Sequence, residues 1–273
     1  MAPPRFRRDL YRGTAPFYDR FRLAYPPALL EDLVARAALP AGASLLDLAC
    51  GTGQVALALR EHFDQVWAVD REREMISFAR DRAKRQGVAN VRWIVQRAEN
   101  VAVGPAHFDL ITIGNAFHRL DRARVAKRSF NLLHPGRCLA VLWSDTPWRG
   151  SAPWQLATAE CLDRWMDRSN SRGRIPSGLD QLFADEPHDA VLRAASFEVS
   201  GPYEFVVPHE WSVPELTGFV LSTSFLSRPA LGNLASAFED DLRETLLGVA
   251  PSGAFHQGVR FAYQLARRPP DGA

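Results

Sequence analysis

The stretch Ser44–Gly53, SLLDLACGTG, decides the fold. Apolar residues surround Asp47, and a glycine-bearing turn follows at once. Ahead of it, Pro40-Ala-Gly42 is a breaker; behind it, Gln54–Arg60, QVALALR, reads as the start of a helix. A strand, a tight glycine turn and a helix bring backbone N–H groups close to a nucleoside-bearing ligand. Gly51 and Gly53 place no side chain where that ligand would approach, and they tolerate unusual backbone angles. Asp47, at the strand end, can accept hydrogen bonds from turn N–H groups or from a ligand ammonium. A bare strand–helix turn without a ligand has the same pattern, and Asp70 separates the two readings. It ends the next apolar run, QVWAVD, about twenty residues on, where a carboxylate can take both hydroxyls of a ribose. An Asp there can also cap the following helix, and the two roles are compatible. ACGTGQ lacks the third glycine of G-x-G-x-x-G, so a dinucleotide pyrophosphate is not the ligand this turn suggests.

Outward from this turn, strands and helices alternate as far as Trp143. Strands are expected at 45–49, 65–70, 91–96, 108–114 and 137–143, with helices at 55–62, 72–86 and 122–133. Such alternation builds a mostly parallel sheet with helices on both faces. Ligands bind beyond the carboxyl ends of its strands. Asp47–Gly53, Asp70, Gln96–Glu99 and Gly114–His118 all fall at those ends. Beyond Trp143 the pattern predicts helices at 153–166, 214–225 and 234–247 and a polar connection over 169–178. Strands are expected at 197–199, at 203–207 ending before Pro208, and at 258–265, followed by a frayed tail from Arg267.

The chain has 273 residues, 47 % hydrophobic and 23 % charged, which suits a globule with a sizeable core. A net charge of +2 implies no strong field for nucleic acid or membrane. Arg5, Arg7, Arg8 and Arg12 read as a solvated basic tail rather than a binding patch. Cys50, Cys138 and Cys161 are too widely spaced for a metal site or a disulfide framework, so no metal is expected and a reducing cytoplasm fits. MAPPRFRRDLYR lacks the apolar core of a signal peptide, and no apolar run approaches the roughly twenty residues of a membrane span. The reading is a soluble, cytoplasmic protein, a monomer or homodimer, acting on a small molecule.

LLDLACGTGQVALAL, VWAVDREREMI, VQRAENV, FDLITIGNAFHRLDR and LLHPGRCLAVLW occur in order between Ser44 and Trp143. In these stretches the chain resembles class I S-adenosylmethionine-dependent methyltransferases, in the small-molecule group that includes trans-aconitate-type enzymes. APFYDRFRLAYPPALLEDL resembles the opening helix of that group, and WSVPELTGFVLSTSFLS resembles a lid helix. The resemblance implies an α/β, Rossmann-like, seven-stranded sheet with helices on both faces. It also implies a helical lid drawn from the N-terminal segment and the C-terminal half. The expected division is 1–39 as lid segment, 40–150 as cofactor-binding core and 151–273 as substrate cover with the last strands.

The resemblance further implies S-adenosyl-L-methionine as cofactor and S-adenosyl-L-homocysteine as product. Asp47 and the turn Ala49, Cys50, Gly51 and Gly53 would hold the methionine moiety. Asp70 would hold the ribose, with Arg71 and Met75 flanking the adenosine, and Ala98 and Glu99 at the adenine edge. Asn115 and Ala116 would line the sulfonium end, and Tyr18 and Arg22 would close over the cofactor. Four residues depart from the family pattern. Ala49 replaces its first glycine, Arg137 replaces the second glycine of a Pro-Gly-Gly turn, and Arg119 replaces a frequent tryptophan. Arg97 stands where an acidic residue commonly receives the adenine amine, a bond that arginine cannot accept.

Methyl transfer is an in-line displacement in which the protein supplies alignment and excludes water. A poorly acidic hydroxyl also needs a base, most often histidine. His118 is the candidate, against packing on the cofactor or capping the next helix. His209 and Glu210 form a second candidate pair, against a plain exposed loop. Trp143, Trp148, Trp154, Trp165 and Trp211 suit an aromatic pocket wall or an ordinary core. The expected function is O- or N-methylation of a small specialised metabolite. The alternative is a methyltransferase fold that binds the cofactor but catalyses another reaction or serves as a degenerate partner. An RNA methyltransferase is disfavoured, because Gly114-Asn-Ala-Phe117 replaces the Asn/Asp-Pro-Pro-aromatic motif.

Overall fold

A computed structural model of the chain describes residues 6, 9–104 and 106–271. Arg5, Arg7 and Arg8 of the basic tail lie outside the described residues, and Arg12 is exposed. The helices are α1 (Ala15–Phe21), α2 (Pro27–Ala37), α3 (Gln54–Leu59), α4 (Arg73–Arg85), α5 (Arg122–Leu132), α6 (Pro153–Arg168), α7 (Leu179–Asp185), α8 (His188–Ala194), α9 (Val213–Leu221), α10 (Arg228–Leu231) and α11 (Ala235–Val249). The strands are β1 (Ser44–Leu48), β2 (Gln65–Asp70), β3 (Val91–Val95), β4 (Phe108–Gly114), β5 (Leu133–Ser144), β6 (Glu198–Ser212) and β7 (Ala254–Arg267).

They form one seven-stranded sheet in the order β3-β2-β1-β4-β5-β7-β6. The pairs among the first five are parallel, and β7 runs antiparallel to β5. β1 and β4 are buried on both faces, which is why SLLDL and FDLITIG are nearly continuous apolar runs rather than alternating ones. Strand order reverses between β1 and β4. That reversal opens a crevice at their carboxyl ends.

The described chain divides into two compact units. The sheet unit holds 24–144, 178–205 and 261–271, and the helical unit holds 9–23, 145–177 and 206–260. The core of the sheet unit includes Leu46, Leu48, Ile111, Ile113, Val125 and Leu139. Arg137 lies at the amino-terminal end of this sheet. Its guanidinium is 3.3 Å from the Asp109 carboxylate and donates to the Ala38 carbonyl at 2.8 Å, so this departure from the family pattern serves packing far along the strands from the crevice.

In the helical unit α1 packs on α9, and α6 packs on α11. Trp154, Trp165 and Trp211 are core residues there. The Trp165 indole N–H donates to Asp241 at 2.6 Å, and that of Trp211 donates to Gln257 at 2.8 Å. An aromatic residue whose polar edge is satisfied can be buried at little cost.

Several sequence expectations are corrected. β6 runs through Pro208 to Ser212 as an edge strand, where a missing N–H does not break the sheet. His209 and Glu210 therefore lie on a strand, not in a loop. α7 and α8 fall where no element was expected, and the polar connection 169–178 contains a short 3₁₀ turn at Arg172–Arg174. The helix from Pro214 ends at Leu221, where α9 is closed at its start by the Ser212–Glu215 capping box. The tail is not frayed at its start. Arg267 is in β7, and the Arg268 N–H donates to the Arg137 carbonyl at 2.8 Å while its guanidinium donates to the Leu133 carbonyl at 2.7 Å.

Gly218 in α9 gives a direct test of the helical unit. A Cβ there would lie 2.3 Å from the Phe21 ring. Gly218→Ala should destabilise the protein by about 1–3 kcal/mol, the usual cost of overpacking, measured by denaturant titration.

Candidate active site

The site grows from Asp47. Asp47 pairs across the sheet with Thr112 of β4. The Thr112 hydroxyl donates to Asp47 Oδ1 at 2.8 Å, and the Ala56 N–H donates to Oδ2 at 3.1 Å. One carboxyl group thus joins β1, β4 and the first turn of α3. It is only 1 % exposed. Burial pushes it up to about 7, the nearby Asp70 charge adds to the rise, and the Thr112 and Ala56 donors oppose it. No cationic side chain is bonded to it among the described residues.

The backbone after Asp47 takes a left-handed conformation at every second residue. φ is +54° at Ala49, +55° at Gly51 and +80° at Gly53. These are the glycine positions of the family pattern, and the angles are the reason for it. Ala49 keeps its methyl group in a conformation that costs an L-residue roughly 1–2 kcal/mol. Gly53 is also required sterically, because a Cβ would lie 2.5 Å from the Trp93 ring.

Asp70 braces the turn from the other side. Its Oδ2 accepts the Gly51 N–H at 2.9 Å, and its Oδ1 accepts the Glu72 N–H at 2.8 Å on the way into α4. Burial raises this carboxyl too, against the Glu72 and Gly51 N–H groups and the Arg71 charge. Each carboxylate oxygen has a second lone pair for a further donor. Cys50 is buried beside both carboxylates, and its thiol is pushed well up by burial and by their charges, so it is no nucleophile. Met75 is buried on α4, whereas Arg71 is exposed and 3.4 Å from Glu72.

Two further loops reach the same edge of the sheet. Ala98–Asn100 forms a 3₁₀ turn with Ala98 and Glu99 buried. Burial pushes the Glu99 carboxyl up, but its own backbone N–H, Arg97 and the Asp121 N–H outweigh that, so it sits below its ordinary value. The exposed Arg97 guanidinium is 3.3 Å from Glu99, and the Asp121 N–H reaches Glu99 Oε1 at 3.4 Å. In the other loop, Asn115 has φ +51° and locks β4 to β5. Its N–H donates to the Leu142 carbonyl at 2.8 Å, and its Oδ1 accepts the Ser144 N–H at 3.0 Å. Ala116 follows, then a 3₁₀ turn in which Phe117 is buried and His118 stands edge-on to Phe183 with centroids 6.2 Å apart.

The structure thus gathers Asp47, Ala49, Cys50, Gly51, Gly53, Asp70, Arg71, Met75, Ala98, Glu99, Asn115, Ala116 and His118 along the carboxyl edge of β1, β2, β3 and β4. Tyr18 and Arg22 belong to the helical unit. There the Arg22 guanidinium lies 5.0 Å from the Tyr18 ring centroid and 4.3 Å from that of Phe219, and its Nε donates to the Ser222 hydroxyl at 2.8 Å. His209 and Glu210 are also in that unit. His209 is edge-on to Trp211 at 4.3 Å, and Glu210 lies 3.5 Å from His256 Nδ1. Thr112, Ser144 and Ala56 carry the site and were not singled out from sequence. Only the pairing of β4 with its neighbours could have revealed the first two. Among the described residues no group of three or more His, Cys, Asp or Glu could hold a metal ion. No helix among them is long and apolar enough to cross a membrane.

Comparison with known proteins adds the family. The model of a methyltransferase domain matches residues 45–136, the segment that carries the turn and both acidic residues. An uncharacterised methyltransferase of Mycobacterium tuberculosis is 30 % identical over 174 residues, which is 62 % of this chain and 67 % of that protein. The chain belongs to the class I S-adenosylmethionine-dependent methyltransferases. A demethylmenaquinone methyltransferase of Lactiplantibacillus plantarum is 29 % identical over 149 residues, covering 51 % of this chain and 63 % of that one. A solved structure from Anaeromyxobacter dehalogenans, named as a candidate type II methyltransferase, has the same fold. Its TM-score is 0.65 at 20 % identity, with 92 % of this chain and 99 % of that one covered. The protein is a methyltransferase enzyme, and S-adenosylmethionine is its methyl donor.

The raised Asp47 carboxyl gives the methyltransferase a signature in pH. The folded protein holds a proton that the unfolded chain, with a value near 3.8, releases. Stability from this group is complete below about pH 4 and is lost as pH rises to about 7, at about 1.4 kcal/mol per unit. Denaturant titrations across this window should show the fall in the native protein, with Asp70 contributing the same sign. Asp47→Asn should show a clearly flatter profile.

Proposed function

We propose that the enzyme transfers a methyl group from S-adenosylmethionine to an oxygen or nitrogen of a small specialised metabolite. The observation that carries the cofactor site is the buried, uncompensated Asp47 carboxyl beside a turn built on three left-handed residues. A cationic ligand restores the charge of that carboxyl at neutral pH. The residues present therefore fit S-adenosylmethionine, whose bound form supplies an electrophilic methyl carbon that leaves its bonding pair on sulfur.

Asp47 and the turn Ala49, Cys50, Gly51 and Gly53 take the methionine end. Asp70 takes the ribose hydroxyls with the lone pairs that Gly51 and Glu72 leave. Arg71 and Met75 flank the adenosine, and the Ala98 N–H and Glu99 read the adenine edge. Arg97 is drawn to Glu99 and supplies no acceptor for the adenine amine. Asn115 and Ala116 border the sulfonium end, where the Asn115–Ser144 bonds hold the loop rigid. His118, at the exit of β4, takes the acceptor's proton when the acceptor is a hydroxyl. Its ring stands edge-on to Phe183. Small-molecule acceptors are also what the demethylmenaquinone methyltransferase relative acts on, by its name. The near-neutral net charge of +2 gives no reason to expect nucleic acid.

Two measurements test this reading. Calorimetry with S-adenosylmethionine should show Asp70→Ala weakened about a hundredfold or more, the worth of two lost bonds to a charged group. Equal affinity in both proteins removes Asp70 from the ribose role. Incubation of the enzyme with methyl-labelled S-adenosylmethionine and a small-metabolite extract should move label into an extractable compound. Label that stays on a cofactor the protein binds would point instead to a non-methylating reaction.

A further inference from the structure

Arg122 is the first residue of α5, behind the Asp121 cap, and is only 7 % exposed. A helix N-terminus repels a cation, and a buried charge is costly without good partners. Among the described residues its partners all come from the segment of α7 and α8, which shares the sheet unit with it. The guanidinium donates to the Glu186 carbonyl at 2.6 Å and lies 3.4 Å from the Glu186 carboxylate. It is 3.5 Å from His188 Nδ1 and 5.1 Å from the centroid of the Phe183 ring. Burial first, then the Arg122 charge, push His188 down to about 4, so that ring is neutral beside the guanidinium.

The same segment meets the turn after β4. Phe117 is buried edge-on to His188 with centroids 5.1 Å apart, and the next residue, His118, is edge-on to Phe183 at 6.2 Å. Phe183 and His188 stand edge-on to each other at 5.8 Å. Two consecutive residues of the turn thus each meet one ring, and both rings meet Arg122. Apolar packing alone would not call for a buried cation here.

We propose that Arg122 is a positioning residue for methyl transfer, acting through Phe183 to set the imidazole of His118. This rests on the reading that His118 takes the acceptor's proton. A flat guanidinium can lie against a ring and donate from its edge to Glu186 at the same time, which a lysine ammonium cannot. Arg122 thereby holds Phe183 against His118, and the imidazole keeps one direction at the exit of β4. Proton transfer to a base depends on that alignment, and a misplacement of about 1 Å costs on the order of a hundredfold in rate.

The test follows label from methyl-labelled S-adenosylmethionine into the small-metabolite extract at saturating cofactor. Cofactor affinity by calorimetry and stability by denaturant titration are measured alongside. The proteins are the native chain, Arg122→Lys, Phe183→Leu, His118→Gln, and each of the first two combined with His118→Gln. Arg122→Lys and Phe183→Leu should each slow transfer about tenfold, with affinity for S-adenosylmethionine unchanged. Neither should slow it further in the His118→Gln background. Arg122→Lys keeps a cation beside Glu186, so its stability should stay near native while its rate falls. Native transfer rates in either single variant, losses that persist in full once His118 is gone, or a loss of cofactor affinity or stability that matches the loss of rate overturn the proposal. A native rate in His118→Gln overturns the base reading instead, and a native chain that labels nothing overturns the small-metabolite reading. Both results are distinct from failure of the Arg122 role.

Discussion

Asp47 is a carboxyl group with almost no access to water, tied to β4 by Thr112 and to α3 by the Ala56 N–H. Burying a carboxylate without a cation is costly, and the protein meets the cost by raising its affinity for a proton. Everything around it follows from that constraint. The turn must double back within five residues, so its backbone enters the left-handed region at Ala49, Gly51 and Gly53. Asp70 holds the turn in place through the Gly51 N–H. Two buried acids close together favour a cationic ligand over a neutral one. Fold and chemistry meet here, at the switch in strand order between β1 and β4.

The central sheet was legible because its strands carry unbroken apolar runs and end in acids or glycines. Asp47, Asp70 and the glycine turn could be named for the same reason. What the sequence hid was hidden for physical reasons. Thr112 and Ser144 act through cross-strand neighbours, and no local spacing encodes those. Pro208 looked like a strand end, but an edge strand has a side where the missing N–H is not needed. Of the five tryptophans from Trp143 onward, Trp154, Trp165 and Trp211 are buried in the helical unit, and Trp143 and Trp148 are half-buried.

Three of the four departures from the family pattern differ in kind. Ala49 occupies a glycine position at some cost in backbone strain, without altering the path of the turn. Arg137 ties the amino-terminal end of the sheet to Asp109 and Ala38, well away from the chemistry. Arg97 stays beside the Ala98–Asn100 turn and pairs with Glu99.

The central claim is that the buried Asp47 carboxyl awaits a cation. The most direct measurement is the affinity for S-adenosylmethionine by calorimetry between about pH 5.5 and 7.5, in two buffers of different ionisation enthalpy. The account predicts that binding below about pH 7 releases a proton and tightens by up to about tenfold per pH unit, and that Asp47→Asn abolishes both effects. An affinity that does not change with pH, with no proton released, would contradict it.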